Sequence, residues 1–154
     1  MKYLTYIRDS LGQNYIGLKI EQNEVQPYLD ELKGILGDEE HVLYTDLQQE
    51  RDNGEYHITV INVAEYHRVA KMIGMREFVQ SLELVLKYEI DDLDLLGLGK
   101  AESKGNTAYF IVSESDKLDA IRTRFELPKR DFHITLGFYT KDIFGVPKNI
   151  LLKK

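Results

Sequence analysis

Apolar and polar positions alternate with a period of two in two short, similar stretches of this chain. In residues 132–139 the set Phe132, Ile134, Leu136 and Phe138 is wholly apolar, while His133, Thr135, Gly137 and Tyr139 fill the alternate positions. Successive strand side chains point to opposite faces, so the first set is expected in a core and the second toward a cleft. Residues 56–60 carry the same signature, with Tyr56, Ile58 and Val60 inward and His57 and Thr59 outward, until Ile61 turns the cleft face apolar. Each segment thus presents an imidazole and a hydroxyl about 6–7 Å apart along one strand face.

The flanking patterns repeat around these two strands. Residues 4–8 and 15–20 read as strands joined by a turn-rich link. A helix follows, with Pro27 in its first turn, Leu29, Leu32, Ile35 and Leu36 on one face, and Gly37 to close it. The polar stretch from Asp38 to Gly54 reads as a loop leading to His57. In the second half, residues 93–101 and 107–112 read as strands around the turn Ser103-Lys104-Gly105-Asn106. Ser115 is the expected N-cap of a helix carrying Leu118, Ile121 and Phe125, and residues 128–131 link it to the His133 strand. Between the halves, residues 64–82 read as helical, and residues 84–89 as a strand or the helix's continuation. The expectation is an α+β, bilobal fold: two pseudo-symmetric lobes of antiparallel sheet with flanking helices around a central cleft. It forms a single domain over 1–154, with lobe 1 at 1–63, a connecting helical region at 64–90 and lobe 2 at 91–154.

Composition narrows the partners. A chain of 154 residues with 43% hydrophobic and 30% charged positions can bury a core of its own. A net charge of −6 without a basic run weighs against long-duplex nucleic acid, which binds through many cations, but leaves a nucleotide or short RNA open. No run of eighteen apolar residues is present, so no membrane contact is expected. The absence of cysteine removes disulfides, a thiol nucleophile and thiolate metal sites, and fits a cytoplasmic location. A monomer is expected.

Two His-x-Thr strands side by side supply what phosphodiester cleavage needs. One neutral imidazole takes a proton from water or a ribose hydroxyl, and one imidazolium gives a proton to the departing oxygen. The two threonines can hold phosphate oxygens. This scheme requires no metal and no cofactor. With four His and seven Thr in the chain, two His-x-Thr pairs are about a 1% coincidence on composition alone. His57, Thr59, His133 and Thr135 are therefore the candidate catalytic residues. His41 and His67 lack a Thr two residues on and read as bystanders.

The segments Tyr56-His57-Ile58-Thr59-Val60 and Phe132-His133-Ile134-Thr135-Leu136 resemble the two His-x-Thr motifs of the two-histidine phosphoesterase superfamily, which includes RNA-ligase-like cyclic phosphodiesterases. Residues 96–101, 131–138 and 142–146 add a resemblance to its small Swiss-army-knife, RNA-repair-like branch. The resemblance implies the bilobal fold and carries catalytic roles onto those two His and two Thr, without saying which His is acid and which base. It implies a phosphodiesterase acting on a ribose 2′-linked phosphodiester: a 2′,3′-cyclic phosphate of an RNA end or nucleotide, or a 2′–5′ oligonucleotide.

Weaker candidates surround these four. Lys100 and Lys104 flank the second-half turn and are candidate phosphate contacts. Tyr139 lies on the His133 face and is a candidate base-stacking residue. Lys141 and Lys148 would add positive potential. Two other classes remain in view: a nucleotide- or RNA-binding module of the same fold without turnover, and a metallohydrolase using the two His with an acid such as Asp131. Threonine is a poor transition-metal ligand, and no His-x-His or His-x-x-x-His spacing occurs.

Overall fold

Alternation and turn chemistry coincide at the first hairpin of the computed structural model, which describes residues 1–139, 142–144, 146–149, 151 and 152. Strand β1 (Leu4–Arg8) pairs antiparallel with β2 (Asn14–Ile20), Leu4 opposite Leu18 and Arg8 opposite Asn14. The Asp9 carboxylate closes the turn by accepting from the N–H groups of Leu11 (2.9 Å) and Gln13 (2.8 Å). Helix α1 (Gln22–Leu36) starts at a capping box formed by Glu21 and Glu24 and buries Val25, Leu29 and Leu32. Pro27 lies inside α1, past the first turn where the sequence suggested it.

The polar stretch read as a loop is helix α2 (Asp38–Arg51). Gly37, at φ 83°, ends α1 through its N–H to Lys33 O (2.9 Å) and also starts α2. Acidic Asp38, Glu39 and Glu40 fill the first turn of α2 and Arg51 its last, matching the helix dipole at both ends. Strand β3 (Tyr56–Ile61) follows. The region read as one helix is two, α3 (Val63–Ile73) and α4 (Met75–Val85), split at Gly74 with φ 92°, so Leu84 belongs to helix. Strands β4 (Asp94–Ser103) and β5 (Asn106–Glu114) form the expected hairpin. Its turn residues Lys104 (φ 50°) and Gly105 (φ 79°) both take the left-handed conformation that a tight two-residue hairpin needs. Helix α5 (Asp116–Arg124) is capped as expected, with Ser115 Oγ accepting from Leu118 N–H (3.1 Å), and β6 (His133–Phe138) completes the elements.

The strand order is β1-β2-β3-β6-β5-β4, and the β1–β2, β3–β6, β5–β6 and β4–β5 pairs are antiparallel. The α+β class expected from the sequence is present. Among the described residues, no helix is long and apolar enough to cross a membrane.

Two compact units cut across the 1–63 and 91–154 ranges suggested by the repeat, each gathering segments from both halves of the chain. One comprises residues 1–19, 59–93 and 115–130. Its core is aromatic, with Tyr66 edge-on to Phe78 (4.9 Å between centroids) and Phe78 edge-on to Phe125 (5.4 Å). A buried ion pair crosses it: Arg122 Nη1 and Nη2 donate to Glu65 Oε1 (2.9 Å) and Oε2 (2.7 Å), and Nη1 also reaches Val60 O (2.7 Å). The other unit comprises residues 20–58, 94–114 and 131–154. Its core gathers Ala101, Ala108, Phe110, Val112, Phe138 and Ile143, with Leu47 of α2 packed against them.

Candidate active site

Three of the four candidate catalytic residues fall in the second unit. Ile58 of β3 pairs with Ile134 of β6 in the antiparallel ladder. Continuing that register by one residue sets His57 opposite Thr135, and both side chains then share a face by strand alternation. His133 lies two residues from Thr135 on the same face of β6, a diagonal neighbour of His57 at about 7–8 Å between backbones. Thr59 follows Ile58 in β3 and belongs to the first unit; alternation gives it the same face of β3 as His57, half-buried.

Local structure fixes His57 from below. The side chain of Gln48, fully buried in the last turn of α2, donates to Asp52 Oδ2 (3.1 Å) and Glu55 O (3.0 Å), tying the helix end to the start of β3. Asn53 (φ 55°) and Gly54 (φ 77°) make the tight reversal between them. Burial pushes the His57 imidazole below its ordinary pKa; Asp52 pulls the other way and Arg51 adds to the lowering. His133 is fixed differently. Its Nδ1 lies 2.8 Å from Asp131 O, and because a carbonyl only accepts, Nδ1 is the nitrogen that carries the proton in this contact. The Phe110 ring stands edge-on to it at 5.6 Å.

Sequence reasoning missed a charged cluster beside Thr135. Asp142, buried, receives the Thr135 hydroxyl (3.4 Å), Lys148 Nζ (3.2 Å), its neighbour Ile143 N–H (2.7 Å) and the Arg51 guanidinium. Burial would raise the Asp142 pKa, but Lys148 and Arg51 together hold it below the usual carboxylate range. Arg51 is gripped again by Asp52, Nε to Oδ1 at 2.9 Å and Nη2 to Oδ2 at 2.7 Å, and its guanidinium lies 5.0 Å over the Phe138 ring. Burial opposes the Arg51 charge, and Asp52 with Asp142 more than offsets that, so its pKa is raised. The cluster is hidden in the sequence because its members come from 51–52, 135, 142 and 148, with Arg51 and Asp52 in a polar stretch that reads as a loop. The signal available was the uninterrupted run from 38 to 51 without Gly or Pro, acidic at its start and basic at its end.

The same helix explains Gly137. A Cβ there would sit 2.9 Å from both C and O of Tyr44, so α2 crosses β6 with its backbone against this position. Gly137 is buried under α2, where the sequence suggested an open cleft. A register shift between Tyr109 and Phe110 interrupts simple alternation here, and Phe138 joins the surface beneath Arg51.

The secondary candidates scatter. Tyr139 is 44% exposed at the end of β6, its ring 6.1 Å from Tyr44, which in turn lies 5.6 Å from Tyr109. Lys100 binds Glu102 (2.8 Å) and lies 5.8 Å over the Tyr109 ring. Lys104 occupies the hairpin tip, and the strand from Asn106 to Val112, about 20 Å at the usual rise, separates that tip from the residue opposite His133. Lys148 is buried against Asp142, with its backbone N–H on Asp131 Oδ2 (3.2 Å). Lys141 lies outside the described residues. His41 sits in α2, and His67 is exposed on α3.

A family model described as Swiss Army Knife, 2H phosphoesterase domain matches residues 14–144, a span holding both His-Ile-Thr strands, α2 and Asp142. The chain belongs to that family. No curated protein and no solved structure gives a significant match. As a 2H phosphoesterase domain, the chain is assigned a phosphodiesterase-type hydrolase activity in general terms. His57 and His133, carried by β3 and β6, both lie within the matched span.

Proposed function

We propose that this 2H phosphoesterase hydrolyses a phosphodiester made with a ribose 2′ oxygen, first a 2′,3′-cyclic phosphate at an RNA or nucleotide end and second a 2′–5′ linkage, without a metal ion. The observation that supports this reading is the Ile58–Ile134 pairing, which joins β3, the strand of His57, to β6, the strand of His133 and Thr135. Two imidazoles on paired strands can flank one phosphorus centre. His57, its pKa lowered chiefly by burial, suits the base that deprotonates the attacking water. His133, its Nδ1–H anchored on Asp131 O, suits the acid that protonates the leaving ribose oxygen from Nε2. Thr135 supplies a hydroxyl contact to a nonbridging oxygen, and Thr59 is the second candidate hydroxyl. The Thr135 contact to Asp142, at 3.4 Å, is long enough for a phosphate oxygen to compete with it. Tyr139, exposed beside Tyr44, offers a stacking surface for a base, and Lys100 a cation beside the same ring group. A short RNA or a nucleotide is the partner, acting on a monomer.

The test is incubation with a cyclic-phosphate-ended oligonucleotide and with a 2′–5′ oligoadenylate, each with and without EDTA. Ring opening that persists under chelation supports the reading. Turnover abolished by EDTA, or binding of intact substrate without product, overturns it in favour of a metallohydrolase or a binding module respectively.

A further inference from the structure

Arg51 and Asp142 do more than hold α2 against β6. We propose that Arg51 is a phosphate contact of this site and that Asp142 is the positioning residue aiming both Arg51 and Thr135 at the substrate; the proposal rests on the phosphodiesterase reading above. Three observations carry it. First, one carboxylate joins the two groups: Asp142 Oδ2 accepts from Arg51 Nη1 and from Thr135 Oγ1, and Thr135 follows Ile134, whose partner across the β3–β6 ladder is Ile58, the neighbour of His57. Second, Arg51 is rigid yet reachable. Asp52 grips its Nε and Nη2, Phe138 supports its plane at 5.0 Å, and the side chain keeps 32% of its surface exposed, against 5% for Asp142 and 6% for Lys148. Third, these bonds use one N–H on each of Nε, Nη1 and Nη2, and a guanidinium has five, so one N–H on each Nη lies outside them.

A planar cation with N–H groups outside its structural bonds can donate to the oxygens of a phosphate. Lys148, buried on the other oxygen of Asp142, keeps that carboxylate ionised and leaves Arg51 in place rather than drawn inward. Arg51 and Lys148 offset Asp52 and Asp142 in formal charge, so the phosphate is recognised by directed N–H groups rather than by a basic patch. The chemistry fits a terminal or cyclic phosphate better than a long polyanion.

The test uses the whole chain with R51A, R51K, D142N and R51A/D142N. Hydrolysis of a cyclic-phosphate-ended oligonucleotide and calorimetric binding of inorganic phosphate and 3′-AMP are both measured. R51A should lower kcat/KM about ten- to hundredfold, the usual worth of a charge-assisted bond. R51K should recover little of it, because an ammonium lacks the fork. Millimolar guanidinium should partly restore R51A, which a purely structural role would not allow. The double variant should lose less than the product of the two single losses, since Asp142 acts in part through Arg51. Wild-type turnover with R51A and R51K within about twofold of it overturns this inference and leaves the hydrolase reading intact. No turnover by any form, with phosphate or 3′-AMP binding that R51A loses, supports the contact and overturns the hydrolase reading. Neither turnover nor binding by the wild-type protein overturns both. Should R51A fail to melt cooperatively, R51K decides: a folded R51K with unchanged kcat/KM and anion binding overturns the proposal.

Discussion

Replacing Gly137 by alanine tests the close crossing of α2 over β6 that brings Arg51 to the site. The added Cβ would lie 2.9 Å from C and O of Tyr44 and 3.0 Å from its Cβ. Two of those three atoms are backbone in a helix, so neither a rotamer change nor a flexible side-chain tip can relieve the contact. Gly137 has no left-handed φ, so alanine brings no backbone strain of its own. Its stiffer unfolded chain would, if anything, favour the variant by about 0.4–1 kcal/mol. Overpacking a tight site costs about 1–3 kcal/mol, so the net expectation is a loss of about 1–2 kcal/mol. For a domain of this size that lowers Tm by about 2–8 °C. Urea unfolding should show a lower midpoint at unchanged slope, and activity should fall beyond the stability loss because α2 must lift and carry Arg51 with it. A variant as stable as the parent, or more stable, would refute the close crossing.

Further expectations follow from the same contacts. Glu65→Gln leaves the Arg122 guanidinium, its side chain 3% exposed, without its carboxylate, and should cost about 3–5 kcal/mol in denaturant unfolding, as broken buried pairs do; replacing both partners by apolar residues should cost less, and an equal loss would contradict the pair as drawn. The kcat/KM profile should be bell-shaped, and because burial lowers the His57 pKa its acidic limb should fall below the 6.5 of a free imidazole; a limb at or above that value in the wild-type protein would contradict His57 as the base. Asp142, held below its unfolded value of 3.8, contributes stability that is present above that pH and disappears as pH falls through its lower folded pKa; D142N should flatten this acid limb in melting experiments, and an unchanged limb would exclude Asp142 as its source.

The strands were legible because a two-residue period and a tight turn are local properties. The β4–β5 hairpin forms at Lys104 and Gly105 because both adopt positive φ, and the Ser115 cap was readable from one hydroxyl before an apolar face. Helix α2 was not legible for the converse reason. Among its residues only Gln48 is buried, so the usual apolar stripe is missing, and its contacts with β6 run through Tyr44 backbone, Leu47 and Arg51. The two His-Ile-Thr segments were visible as repeats, but their pairing through Ile58 and Ile134 is a non-local fact. The Asp142 cluster depends wholly on chain crossings between segments far apart in sequence. The assembly of compact units from both halves has the same origin: the repeat describes element order, while packing decides which helices cover which strands.

The proposed mechanism requires His57 and His133 to act as a unit on one phosphorus. Single-turnover cleavage of a cyclic-phosphate-ended oligonucleotide by wild type, H57A, H133A and the double variant tests it most directly. Each single substitution should cost about 10²–10⁴-fold in rate, and the double should be little slower than the worse single, because a site missing one partner has lost the concerted step. Losses that multiply in the double variant, or either single variant retaining full activity, would contradict the account.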